Sequence, residues 1–275
     1  MPKNVALKNI SESLHLSHSQ VFTYLNCSLK YRFQYVEQRQ IERISIALIF
    51  GSAIHSAIEA FYLGVKHGIK ESLESIQEVF DDHISAELNL TDVPVIYKKG
   101  TKKDSTISMG KALLETFYEN VNVGGYEIVG VEVPLSARLY TENAEPTDFQ
   151  LIGIIDLILK NIETDQIILV DNKTAAKAKT QKSVNEDLQL TAYSYLAAAN
   201  KLCFPRAEIK CRFDVLLKLK TPKMKYYTTN RTAKDRKKFT KLANMVLKGI
   251  EERIFFPNKS WLCADCSFKN VCKDW

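Results

Sequence analysis

The sequence predicts an α/β protein, a sheet flanked by helices. Helix-period apolar patterning recurs between Ser17 and residue 121 and again over about 185–202 and 232–253, while β-branched, alternating stretches follow one another from Tyr126 to Lys173. "AEIKCRFDVLLKL" then returns to strand after a helix, so the predicted core order is β-β-β-α-β.

Each element has a local cause. "SHSQVFTYLNCSLKYRFQYV", Ser17 to Val36, reads as a helix with serines at its cap and Phe22, Tyr31 and Tyr35 at helical spacing. Further helices are expected at about 47–64, 70–89 and 107–121, the last two flanking a lysine-rich loop, "YKKGTKKDST". "YEIVGVEVPLSARLY", "FQLIGIIDLILKN" and "DQIILVDNK" read as strands, with "NIETDQ" as the turn between the second and third. "NEDLQLTAYSYLAAANKL" reads as a helix burying Leu188, Ala192, Tyr195 and Ala199. A long amphipathic helix over about 232–253 puts Phe239, Leu242, Val246 and Ile250 on one face.

The bulk composition bounds the function without choosing it. A chain of 275 residues with 45% apolar content can bury a large core, and a formal charge of +6 permits an acidic partner. The amino-terminal "MPKNVALKNISESLHLSHSQ" lacks the apolar core of a signal peptide, and the most apolar window, "ISIALIFGSAI", is too short to span a bilayer. The expectation is an intracellular, cytoplasmic protein in a reducing setting, with no membrane partner. Its six cysteines are then thiols or metal ligands rather than disulfides.

The chemistry concentrates in "LIGIIDLILKNIETDQIILVDNKTAAKAK". Asp171 and Lys173 lie two apart on a strand and share a face, with Asn172 turned away. Asp156, on the preceding strand across a short hairpin, is placed to set its carboxylate beside Asp171. Two adjacent carboxylates repel unless a cation lies between them, and oxygen ligands suit Mg²⁺ or Mn²⁺. Lys173 would then orient or help deprotonate a water and offset phosphate charge. The alternative for the triplet is an ordinary strand-end salt bridge. His55 follows the small residues Gly51, Ser52 and Ala53, which would let its helix approach another backbone closely; alone it is equally a packed helical histidine. Gln189 and Tyr193 are four apart on one helix face, and Glu132 is a further carboxylate near the start of the sheet.

In order and local sequence, "LSHSQVFTYLNC", "FGSAIHSAIEAFY", "GIIDLI", "LVDNKT" and "DLQLTAYSYL" make the chain resemble the RecB-type nucleases of the PD-(D/E)XK superfamily, which include AddB-like proteins and CRISPR-associated exonucleases. The resemblance covers most of the chain and leaves roughly 66–125 as an added helical region. It implies one domain over residues 1–275 with a mixed central sheet flanked by helices. It also implies metal-dependent hydrolysis of DNA, as an exonuclease on single strands or ends. A helicase, recombination or CRISPR adaptation partner would accompany it. By position, His55, Asp156, Asp171 and the backbone carbonyl of Asn172 would bind the metal, Lys173 would serve the attacking water, and Gln189 and Tyr193 would steady the site and touch DNA. Ser28 stands where the family often has proline.

Cys263, Cys266 and Cys272, in the cysteine-rich segment 257–275, need a fourth ligand to close a tetrahedral site, and Cys27 is the natural one. In the iron-sulfur members of the resembled family such a set holds a [4Fe-4S] cluster, which would staple the two ends of the chain together. A four-thiolate zinc site is the competing reading, and a noncatalytic DNA-end-binding subunit is the competing function. Cys203 and Cys211 read as buried thiols. Lysines at 173–182, 218–225 and 234–241 are available to meet phosphate, with a solvated surface as the alternative and the better reading for those at 98–103, and Tyr193 is able to stack on an unpaired strand.

Overall fold

The computed structural model describes residues 14–141 and 143–275, so the amino-terminal stretch read above for a leader lies mostly outside the described residues. The described strands are β1 (His15–Ser17), β2 (Ile44–Ser45), β3 (Val95–Ile96), β4 (Tyr126–Tyr140), β5 (Pro146–Asn161), β6 (Ile167–Ala175), β7 (Ile209–Leu217) and β8 (Lys223–Arg231). The described helices are α1 (His18–Asn26), α2 (Ser28–Tyr31), α3 (Ile46–Lys66), α4 (Leu73–Leu90), α5 (Lys103–Asn120), α6 (Gln181–Asn185), α7 (Leu188–Ala199) and α8 (Ala233–Glu251).

The main sheet is mixed. Strand β5 pairs antiparallel with β4 along one edge, and the order across the sheet continues β6, β7, β8, with β6 and β7 parallel and β7 and β8 antiparallel. The second edge of β5 carries two partners. β1 pairs with it in parallel at Gln150–Ile152, and β6 pairs antiparallel at Leu157–Lys160. The two ladders therefore part over Gly153–Asp156, which opens the sheet where the candidate residues lie.

Helices cover both faces. One core forms under α3, α4 and α5, with Ile54, Phe61 and Phe117 meeting Leu157, Leu159 and Val170 of the sheet. A second forms under α7, where Leu190, Tyr193 and Ala197 meet Leu169, Phe213 and Val215. Burying each such side chain stabilises the fold by about 1.5–3 kcal/mol. Leu169 and Val170 enter opposite cores, so Asp171 and Lys173, in step with Leu169, face the α7 side.

Several sequence expectations need correction. The helix expected over Ser17–Val36 breaks at Cys27, whose φ of −163° and ψ of 100° are extended, and ends in a π-helical turn over Arg32–Val36. Its start is as expected: Ser17 and Gln20 form a reciprocal capping box. The lysine-rich loop shortens because α5 begins at Lys103, where Ser105 Oγ accepts the Lys102 N–H. α7 is buried on most of its circumference, and Ala199 is exposed, because β5, β7 and α8 enclose the helix and no single stripe faces the core. The window "ISIALIFGSAI" begins in β2 and runs into the 21-residue α3, which is long and apolar enough to cross a membrane; half of its most apolar stretch is buried inside the protein. β8 and α6 were not foreseen, since "KMKYYTTNR" reads as a basic surface run.

Candidate metal centre

Five elements converge on the parting of β1 and β6: β4, β5, β6, α3 and α7. Strand β5 brings Asp156, and β6 brings Asp171, Asn172 and Lys173. Helix α3 brings His55 across from the other layer. Its rotation is fixed by His83 of α4, which hydrogen-bonds the hydroxyls of Ser52 and Ser56 on either side of His55, at 2.9 and 3.0 Å. Of the small residues preceding His55, Ser52 touches His83 of α4 and Ala53 is fully buried in the core, whereas a Cβ on Gly51 would meet nothing within 4 Å, so position 51 does not itself require glycine. Close approach occurs at Gly153 instead, where a Cβ would lie 2.9 Å from Leu196 of α7 and 3.7 Å from Tyr193. That glycine lets α7 seat Tyr193 against the site.

His55 Nδ1 lies 3.3 Å from Asp156 Oδ2, and the same oxygen accepts the Asn172 backbone N–H at 2.8 Å. Lys173 Nζ lies 2.8 Å from Asp171 Oδ2. Asp171 is fully buried, and neither of its carboxylate oxygens has a hydrogen bond in good geometry, nor has the Asn172 side-chain carbonyl. A buried carboxylate with so few donors is costly, and a cation is the group that would satisfy it. Burial, and then the charge of Asp171, pushes the Asp156 carboxyl well above the usual carboxylate range. Burial works against the Lys173 charge, but Asp171 and Asp156 outweigh it and raise the ammonium above its ordinary value.

Glu132 completes the arrangement. Ligand atoms of His55, Glu132 and Asp156 all lie within 4.8 Å of one another. Val131 pairs with Leu157 and Val133 with Ile155, so Glu132 stands across from Asp156 on β4. Its φ of 48° is left-handed, a strained conformation for a residue inside a strand. The sequence reading left this residue at the margin of the site. A hairpin centred on Ala144 gives the 132–156 pairing directly, and the turn-rich "TENAEPTD" was the available signal.

Gln189 and Tyr193 are joined, Nε2 donating to the phenol oxygen at 2.9 Å. Burial, then the charges of Asp171 and Asp156, raises the Tyr193 phenol well above its usual value. The ring is only 5% exposed, packed among α7, β6 and β7, so it offers no face to a nucleobase and the stacking role expected for it does not hold.

Residues 28–42 meet the carboxy-terminal segment directly. Ser28 Oγ accepts the Phe256 N–H at 2.9 Å, Leu29 N–H donates to the Phe256 carbonyl, and Glu42 accepts the N–H groups of Asn270 and Val271 at 3.0 and 2.9 Å. A proline at position 28 could not supply that hydroxyl. Cys27, Cys266 and Cys272 pack around Leu29, Phe33 and Phe268, and Ser260 N–H points at Cys263 Sγ from 3.4 Å. The Cys272 thiol is pushed up by burial and then by its neighbours Cys27, Cys266 and Cys263. Among the described residues no three of these sulfurs lie within 4.8 Å of one another. Cys211 is buried with its thiol pushed up to about 12, and Cys203 is half-buried.

The sequence matches a family model described as the PD-(D/E)XK nuclease superfamily over residues 15–273. The chain belongs to the PD-(D/E)XK nuclease superfamily. Its members are hydrolytic nucleases that use divalent metals, and DNA is the substrate this implies. An exonuclease candidate from Eubacterium rectale has a similar solved structure, at 10% identity and a TM-score of 0.58, with 100% of this chain and 92% of that chain aligned. That likeness shows a shared fold for this nuclease. A structure of SSO0001 aligns over 90% of this chain and 94% of that chain at 15% identity, with a TM-score of 0.39. No curated protein matches the sequence.

Proposed function

We propose that this nuclease is a Mg²⁺- or Mn²⁺-dependent exonuclease of RecB or AddB type acting on single-stranded DNA or DNA ends, with residues 1–275 as one domain. The observation that carries the reading is Asp171, a fully buried carboxylate beside Asp156 with the Lys173 ammonium 2.8 Å away. A salt bridge alone would leave this geometry unexplained, since one ammonium does not serve two buried acids.

His55, Glu132, Asp156, Asp171 and the Asn172 carbonyl would hold the metal. When bound, a divalent cation offsets the carboxylate charge and polarises a phosphoryl oxygen. Lys173 holds the attacking water by donating to it and lowers the cost of charge on the phosphate. Gln189 fixes the Tyr193 hydroxyl, which keeps α7 in register against the acids. Helicase, recombination and CRISPR adaptation machineries are the settings in which such an activity would act.

The tail is read as a [4Fe-4S] site held by Cys27, Cys263, Cys266 and Cys272. A single zinc with Zn–S about 2.3 Å would draw its sulfurs to about 3.8 Å of one another. Cys27, Cys263 and Cys266 all act on the Cys272 thiol, so the four thiols are neighbours, and the choice of a cluster over zinc rests on the family resemblance. A cluster of this kind goes with an intracellular, reducing setting. Incubation of linear DNA with Mn²⁺, Mg²⁺ or EDTA tests the first reading: degradation in either metal and none in EDTA supports it, and intact DNA throughout refutes it. Iron and sulfide analysis of anaerobically purified protein tests the second.

A further inference from the structure

The exposed face of α1 has no part in the chemistry above. β1 runs parallel to β5 and ends with Ser17 opposite Ile152, so the next residue, His18, enters the gap whose far side is Asp171–Lys173. His18 is half-buried there, and Asp187, Lys173 and Asp171 are the charged groups acting on its ring. One turn further, Phe22 lies with its ring centroid 5.9 Å from the imidazole and is 51% exposed. Leu25 continues the strip at 42% exposure, while Val21, on the opposite side of α1, is buried in the core with β5 and α8. Scattered exposed apolar residues are ordinary, but here two adjacent rings lead out of a hydrolytic centre whose own tyrosine is buried.

We propose that His18 and Phe22 form a stacking platform for the bases of an unpaired DNA strand whose backbone passes the metal centre. The proposal rests on the nuclease reading and deepens it by assigning the residues that hold the bases of the unpaired strand. Every base has a π-face, so the platform tolerates any sequence, while paired bases are stacked on one another and cannot use it. Helix α1 rises about 6 Å between the two residues, so the platform extends outward from the site.

The test is binding of oligothymidylate and of an abasic strand of equal length to the full chain in EDTA, which prevents cleavage, with parallel cleavage assays in Mn²⁺. The unaltered protein is expected to bind the abasic strand about tenfold more weakly, within the range for one base stacked on an aromatic ring. Phe22→Ala should lose a similar factor on oligothymidylate and nothing further on the abasic strand, and Phe22→Trp should restore binding. Equal binding of both strands by the unaltered protein overturns the platform, and that arm needs no variant to fold. Cleavage without base-dependent binding removes the platform and leaves the nuclease; base-dependent binding without cleavage removes the nuclease and leaves the platform. Neither activity removes both.

Discussion

The Asp156 carboxylate accepts the Asn172 backbone N–H at 2.8 Å, one residue beyond the last β5–β6 pair, Leu157–Val170. This contact continues the joint between the two strands by a side chain where their ladder has ended. Asp156 is therefore a structural tie as well as a candidate ligand, and the two roles separate by substitution. Asp156→Asn retains an acceptor for the N–H and removes the charge that burial and Asp171 oppose. In EDTA this variant should be more stable than the unaltered protein by about 1–2 kcal/mol, the scale of a typical single-site change, while hydrolysis is lost. Urea unfolding measures it, and a less stable variant contradicts the electrostatic account.

Metal should act on the same balance. Mg²⁺ or Mn²⁺ at 100 times its dissociation constant should stabilise the unaltered protein by about 2.7 kcal/mol. Asp156→Asn should show little of this shift. Thermal melts across a metal titration check it; equal shifts in both proteins would place the metal elsewhere.

Glu132 combines a strained backbone with a carboxylate at the centre. Glu132→Gln should keep the fold and lower hydrolysis at least about tenfold, the scale seen when a group supporting a metal site is lost. Glu132→Gly should relieve the left-handed strain, so its stability should not fall even though activity does. An active Glu132→Gly would exclude the carboxylate from the chemistry.

Arg212 clasps Asp214 with two hydrogen bonds, 2.6 and 2.9 Å, yet burial outweighs this and holds the Asp214 carboxyl up at about 6. The folded protein then keeps a proton there that the unfolded chain releases near its ordinary 3.8. Stability from this group is complete below about pH 4 and is lost as pH rises through about 6. The stability advantage of the unaltered protein over Asp214→Asn should therefore be larger at pH 4.5 than at pH 7. A constant difference would contradict it.

Much of this was legible in the sequence because the signals were local. The alternation through "LVDNK" set Asp171 and Lys173 on one strand face, and the cap serine at position 17 marked the start of α1. What depended on register or on long-range packing was not. The 132–156 pairing required the hairpin centre, and the placement of His18 required knowing that β1 would pair with β5 beside the point where β6 leaves it. The stripe assigned to α7 failed for a related reason, since a helix enclosed on several sides buries residues such as Thr191 and Ser194 that a one-sided pattern leaves out. Strand β8 escaped because a solvated outer strand carries lysines where a core strand carries valines.

The central claim is that Lys173 and the paired acids make a hydrolytic centre. The most direct measurement is the degradation of 5′- and 3′-labelled single strands by the anaerobically purified protein in Mg²⁺ or Mn²⁺, beside Lys173→Ala. The account predicts metal-dependent shortening from an end by the unaltered protein and its loss in the variant with strand binding retained. Undegraded DNA with both proteins, under every metal condition, would contradict it and favour a noncatalytic DNA-end-binding role.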